Sequence, residues 1–343
     1  MNVVTTIARV LLLLPLVALS GCNTVLLNAS GDVAQQQGHL LVVSTFLMLL
    51  IIVPVIGLTL VFAWRYRASN TQATYAPDWD HSTQLELVIW GAPLLIIIAL
   101  GLLTWISTHT LDPYRPLQRI DAHRTLPAGT KPLIVDVVAL DWKWLFIYPE
   151  QGFAVVNEVA APVDVPIEFH ITASSVMNSF FIPTLAGQIY AMPGMQTSLH
   201  AVINKAGEFE GLSANYSGAG FSGMHFKFHG MAAAEFERWV QLNKNSPTAL
   251  SRSDYLALEQ PSQHEPVRRF GSVAPDLFGA VVNRCVDPHQ MCMNDMMALD
   301  MAPHHKDAGA LSPASLATAT TPAAPAHSSM SSATMPGMSP GAM

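Results

Sequence analysis

The chain has 343 residues, half of them hydrophobic and only 12% charged, with a formal net charge of -7. A typical soluble domain is about 25% charged, and the mean hydropathy here is +0.33, so the composition argues for a membrane protein. No basic run or stripe occurs, which excludes a nucleic-acid-binding surface, and the length allows one or two domains.

Residues 1–21 read as a targeting segment. Arg9 precedes "VLLLLPLVALSGC", an apolar run too short to cross a bilayer but suited to a signal-peptide core. "LSGC" has the form of a bacterial lipobox, which predicts cleavage before Cys22 and acylation of its thiol. The plainer alternative is an ordinary signal peptide with an incidental cysteine. Lipid chains on Cys22 would anchor an exported segment, 22–38, at the outer membrane surface.

Two apolar stretches follow, predicted as membrane helices over 39–64 and 83–108. Each supplies the ~20 apolar residues that a span requires. Pro54 and Pro93 fall inside them, where neighbouring helices can satisfy the freed backbone groups. The connecting loop, 65–82, opens with "RYR". Positive charge beside the first helix places this loop in the cytoplasm. Both ends of the mature chain then lie outside.

From 117 to 245 the pattern changes to β-branched and aromatic runs. Pro, Gly and Asn punctuate them at roughly ten-residue intervals, the signature of an all-β sandwich or barrel. At strand spacing, Trp142 and Trp144 are expected on one face. A helical extension is expected over 246–301. It contains "CVDPHQMC", in which Cys285 and Cys292 could close a local disulfide or, with His289, hold a metal. Residues 302–343 are rich in Ala, Ser, Thr, Pro and Met and bury too little surface to fold. Their Met and His residues, with "MCMNDMM", could hold copper transiently, but a disordered tail is the simpler reading.

Three segments carry a family resemblance. "LELVIWGAPLLIII" is similar to the second helix of subunit II of the haem-copper terminal oxidases. "DWKWLFIYPEQG" resembles the aromatic segment opening that family's cupredoxin domain, and "VMNSFFIPTLAGQIYAMPGMQT" the stretch around its first copper-ligand histidine. The resemblance covers residues 20–280. It implies a two-helix transmembrane hairpin followed by a cupredoxin-like Greek-key β-sandwich.

Cytochrome c oxidases in that family hold two copper ions here, through a histidine and the pattern Cys-x-Glu-x-Cys-x-x-x-His-x-x-Met. Two bridging thiolates are essential to such a centre. In this chain Asn178 stands for the first histidine, Ser217 and Phe221 for the cysteines, Ala219 for the glutamate and Phe228 for the methionine. Only His225 keeps its place. Gln188 and Tyr190 replace a frequent Lys-x-Asp pair. The pattern resembles the bo-type ubiquinol oxidases, whose electrons come from membrane ubiquinol.

That resemblance implies a chain with no metal or cofactor of its own, and haems and one copper in subunit I. It implies partnership with subunit I, small membrane subunits and phospholipid, and no docking of cytochrome c. It assigns Glu86 to the entrance of a proton-uptake channel; an interfacial Glu that merely caps its helix is the bland alternative. No Ser-His-Asp set, phosphate loop or paired-carboxylate site is present, so the chain alone is expected to be non-catalytic. Two rivals stay open: a cytochrome c oxidase subunit with a degraded copper site, and a membrane-anchored copper-binding lipoprotein. Residues 215–231, "NYSGAGFSGMHFKFHGM", carry the question of a metal at His225, since His229, Met224 and Met231 are close in sequence.

Overall fold

The computed structural model describes residues 25–74 and 76–301. The signal segment with Cys22, and the tail after Met301, lie outside these residues.

Helix α1 spans Asp32–Arg65 and α2 spans Thr83–Thr110. At 1.5 Å per residue they are about 50 and 42 Å long, more than the ~30 Å hydrocarbon core. Both pass the length and hydropathy requirements for crossing a membrane. Pro54 and Pro93 lie inside helices that continue past them. Helix α1 starts at Asp32, well before the apolar run that begins at residue 39. Its first two turns, "DVAQQQG", are polar and dock on the β-domain. Gly31 N–H donates to Thr184 O at 2.8 Å, and buried Asp32 takes a bidentate pair from Arg119 at 2.8 and 2.9 Å. A Cβ on Gly31 would stand 2.5 Å from Leu185 O, so only glycine permits this approach.

The expected sandwich follows. Its first sheet joins β1 (Leu133–Leu140), β2 (Lys143–Tyr148), β3 (Phe153–Val156), β5 (Pro166–Ala173) and β8 (Thr197–Val202). Strand β12 (Arg268–Phe270) completes it, in the order β12-β3-β2-β1-β5-β8. The second sheet contains β4 (Glu158–Pro162), β6 (Asn178–Phe181), β7 (Ile189–Ala191), β9 (Gly207–Ser213) and β10 (His225–Met231), in the order β4-β10-β9-β6-β7. Pairs β1·β5 and β4·β10 are parallel, which requires the chain to cross between sheets. Alternate residues of both sheets face inward and form one core, including Trp144, Phe146, Phe169, Phe180, Phe226 and Phe228. Phe180 and Phe226 stack at 5.4 Å, with Trp144 edge-on to both.

After β10 come α3 (Ala233–Lys244), β11 (Ala249–Leu250), α4 (Arg252–Glu259), β12, β13 (Ser272–Val273), α5 (Leu277–Val282) and α6 (Met293–Met301). This extension covers the outer face of β1–β3: Val138, Leu140, Leu145 and Ile147 pack there against Leu250, Tyr255, Leu258 and Leu277. That face explains why β1 and β2 read as continuous apolar runs, buried on both sides.

Trp142 departs from the expected alternation. Leu140 pairs with Lys143, so Asp141 and Trp142 form a two-residue hairpin loop. Trp142 lies at φ +66°, outside the strand, while Trp144 is fully buried in the core. Trp142 thus lies outside the strand, although its indole packs against the same core that contains Trp144. The turn interrupts the period that the sequence suggests.

Candidate functional site

Segment 214–224 joins β9 to β10 and contains Ser217, Ala219 and Phe221, the residues that the sequence comparison with the copper pattern sets against its thiolates and glutamate. Glycines shape it. Gly218 lies at φ +115°, a conformation that disfavours any side chain. Gly220 is closed to a side chain for another reason: a Cβ there would stand 2.5 Å from Cγ and Cδ2 of Trp142. The Trp142 indole lies across this loop and its Nε1–H donates to Ser217 O at 3.1 Å. On another side, the ring of His264, from the extension, closes on Gly223. The loop is thus gripped between a hairpin tryptophan and an extension histidine. A non-glycine residue in the left-handed region costs about 1–2 kcal/mol, and the contacts of Trp142 with this loop offset that cost.

The six positions of the copper pattern scatter within this frame. Asn178 is buried at the start of β6, where its Oδ1 accepts from Ser213 Oγ at 3.0 Å and its Nδ2 donates to Val176 O at 3.2 Å. Ser217 Oγ is buried without a protein partner. Ala219 is exposed. Phe221 packs edge-on against Tyr216 at 5.5 Å. Phe228 is fully buried, on the core face of β10. His225 projects from the opposite face, with Nδ1 2.8 Å from Glu210 Oε1 and Nε2 3.0 Å from Ser222 O. Both ring nitrogens already face acceptors. Met224 points into the core. The chemistry of a dinuclear copper centre needs two thiolates, and this loop offers a hydroxyl and a phenyl ring instead, so these residues do not fit that group. Among the described residues, no group of three or more His, Cys, Asp and Glu could hold a metal ion.

The outward face of β10 carries basic side chains set against carboxylates. His225 pairs with Glu210, Lys227 with Glu208 at 2.5 Å, and His229 with Glu158 at 3.3 Å. Glu158 is buried and also takes Arg269 Nη2 at 2.5 Å and Trp239 Nε1 at 3.5 Å. Burial alone would raise its pKa, but the His229 hydrogen bond and the Arg269 charge outweigh it and hold the carboxyl below its ordinary value. One carboxylate thereby ties the second sheet to α3 and β12. Lys143 is a second tie. It is buried, its ammonium donates at 2.8 Å to both Gln260 O and Ser262 Oγ, and burial pulls its pKa down. Neither tie is evident in the sequence, because the partners lie more than 70 residues apart.

Glu86 lies in the first turn of α2, half exposed, with His81 Nδ1 2.7 Å from its Oε1. His81 stands five residues before Glu86, across the helix start, and that spacing is the sequence signal for the contact. Cys285 and Cys292 are joined as a disulfide in the structure.

Comparison with known proteins adds the following. Residues 134–230 match the family model described as "Cytochrome C oxidase subunit II, periplasmic domain", and residues 244–289 match "COX Aromatic Rich Motif". The chain is 52% identical over 271 residues to cytochrome bo(3) ubiquinol oxidase subunit 2 of Pseudomonas putida, covering 79% of this chain and 83% of that one. It is 51% identical to the protein of the same description from Pseudomonas aeruginosa, covering 79% and 80%. It is 49% identical to ubiquinol oxidase subunit 2 of Acetobacter aceti, covering 77% and 83%.

Proposed function

The chain belongs to the ubiquinol oxidase subunit 2 family of the haem-copper oxidases, and from that premise we propose that it is the non-catalytic subunit II of a proton-pumping ubiquinol:oxygen oxidoreductase in a bacterial inner membrane. The complex oxidises ubiquinol, reduces dioxygen to water and moves protons outward. Its haems and one copper reside in subunit I. The present chain holds subunit I through α1 and α2 and covers its outer face with the sandwich.

One observation carries this reading. Where an electron-entry centre would need two thiolates, positions 217 and 221 hold Ser and Phe in a loop closed by Trp142. An oxidase fed from the membrane has no need of such a port. The chain contributes assembly and surface electrostatics instead. Glu86, with His81 beside it, sits at the loop end of α2 and serves as the mouth of a proton-uptake path in subunit I. In this reading residues 1–21 are removed, Cys22 is lipidated, both spans cross the membrane and the sandwich lies outside. Small membrane subunits and phospholipid complete the surroundings.

The test is purification through a tag on this chain. Subunit I and its haems co-purify, the preparation turns over ubiquinol, and mass spectrometry finds a diacylated Cys22 at the N-terminus. Deleting the chain abolishes assembly. A stable, fully active subunit I without it would defeat the proposal.

A further inference from the structure

The residues just before α1 are held in two different ways. Ala29, Ser30 and Gly31 are buried against the sandwich. Ser30 N–H donates to Thr184 O at 3.0 Å, and Asn204 N–H donates to Ser30 O at 2.8 Å. The residues before them follow α1 itself. Gln35 Nε2 donates to Ala29 O at 3.2 Å, and the carbonyl of Leu26 lies against Gly38, one turn further along the helix. A Cβ on Gly38 would stand 2.6 Å from Leu26 O, so glycine alone permits this seat. The segment therefore runs antiparallel to α1, from the sandwich at Gly31 down toward the apolar part of the helix at Leu26.

The helix fixes the depth of this turn. The apolar run of α1 begins at residue 39, directly after Gly38, and ends at Trp64, which is followed by Arg65 and Arg67. Tryptophan and arginine in this order mark one membrane surface. From Trp64 back to Gly38, at 1.5 Å per residue, is about 39 Å, close to the ~40–45 Å of a bilayer counted with both headgroup layers. Gly38, and Leu26 seated on it, accordingly lie in the opposite headgroup layer. The side chains at that depth are apolar and unpacked. Val25–Leu27 form a short 3-10 helix in which Val25, Leu26 and Leu27 are 53%, 39% and 58% exposed, whereas Ala29 is 3% exposed. No charged residue occurs from Val25 to Gly31 to oppose contact with lipid. Three adjacent apolar side chains gain by leaving water, and the boundary between headgroups and acyl chains is the apolar medium within their reach.

We propose that Val25, Leu26 and Leu27 are a phospholipid-contacting surface, a wedge inserted at the headgroup–acyl boundary of the outer leaflet at a depth set by Gly38. This rests on the reading of α1 as a membrane span, and it does not require acylation of Cys22.

The test uses the whole oxidase, purified through this chain and reconstituted in phospholipid vesicles. A nitroxide is attached at Leu27→Cys, with identically treated wild type as background. Its collisions with oxygen, which concentrates in lipid, are compared with its collisions with a water-soluble nickel chelate. The oxygen-to-nickel ratio is about tenfold above that of a label at Glu237→Cys, an exposed position on α3, one decade in partition between lipid and water. A ratio equal to that of Glu237→Cys puts the turn in water, and few collisions with either reagent put it beneath another subunit; each overturns the proposal. Adding Cys22→Ala leaves the ratio high, and a fall to the water value would show that the acyl chains alone hold the turn, against the proposal. Gly38→Ala, a substitution that helix α1 itself tolerates, lifts the turn from its seat and lowers the ratio; an unchanged ratio overturns the role of Gly38 in setting the depth. A label at Val53→Cys, in the middle of α1, tests the span separately: it excludes the nickel chelate, and nickel access there defeats the span and the proposal with it. Ubiquinol turnover by each labelled complex verifies that the oxidase is intact.

Discussion

Replacing Gly220 by alanine probes how the loop of segment 214–224 is held. The added Cβ would stand 2.5 Å from Cγ and Cδ2 of Trp142 and 2.7 Å from its Cε3. Carbon pairs rest at about 3.5–4.0 Å, so the indole must retreat by about 1 Å. The backbone of Gly220 is at φ -92°, which alanine tolerates, so the cost arises from the ring contact alone. Overpacking of this kind costs about 1–3 kcal/mol. Loss of the Trp142–Ser217 hydrogen bond adds about 1 kcal/mol. The sum, about 2–4 kcal/mol, is about 1.5 to 3 decades in a local opening equilibrium. Hydrogen exchange in the intact complex reads it at Met224 N–H, bonded to Phe221 O, and Ser213 N–H, bonded to Met224 O. In a Trp142→Ala background the same alanine meets no ring, and its cost falls below about 0.5 kcal/mol. An equal cost in both backgrounds, or no change in the first, refutes the clamp.

Two other predictions concern charge. Glu158→Leu removes the carboxylate shared by His229, Trp239 and Arg269, and breaking a pair this buried costs about 3 kcal/mol. Because the folded pKa of Glu158 lies below its ordinary 4.5, its contribution is full above that value and fades as pH falls through the folded pKa. The stability gap between wild type and variant, followed by thermal unfolding of the complex, therefore narrows below about pH 4.5; a gap that widens contradicts the sign. Glu86→Gln keeps the helix but removes an exposed charge worth about 1 kcal/mol to a cation at 4 Å in water. Turnover limited by proton uptake drops about fivefold, and the complex still assembles. Unchanged turnover and pumping would leave Glu86 as a helix cap.

The coarse plan was readable because it rests on local pattern. Twenty apolar residues with no charge allow little other than a spanning helix, and runs broken by Pro and Gly every ten residues read as a sandwich. The missing thiolates at 217 and 221 were equally plain, since identity alone decides that chemistry. What stayed hidden depends on contacts between distant segments. Trp142 in a tight turn has no sequence signal, because hairpin loops of two residues favour Asn and Gly, and its ring finds its place only against Gly218 and Gly220. The early start of α1 at Asp32 is set by Arg119, far along the chain.

The central claim is that electrons reach this oxidase from the membrane and not through the outer domain. The most direct test is turnover of the purified complex with ubiquinol and with reduced cytochrome c, each supplied alone at matched oxygen. Rapid oxygen consumption with ubiquinol and none above background with cytochrome c is the expected result. Faster oxygen consumption with cytochrome c would contradict it.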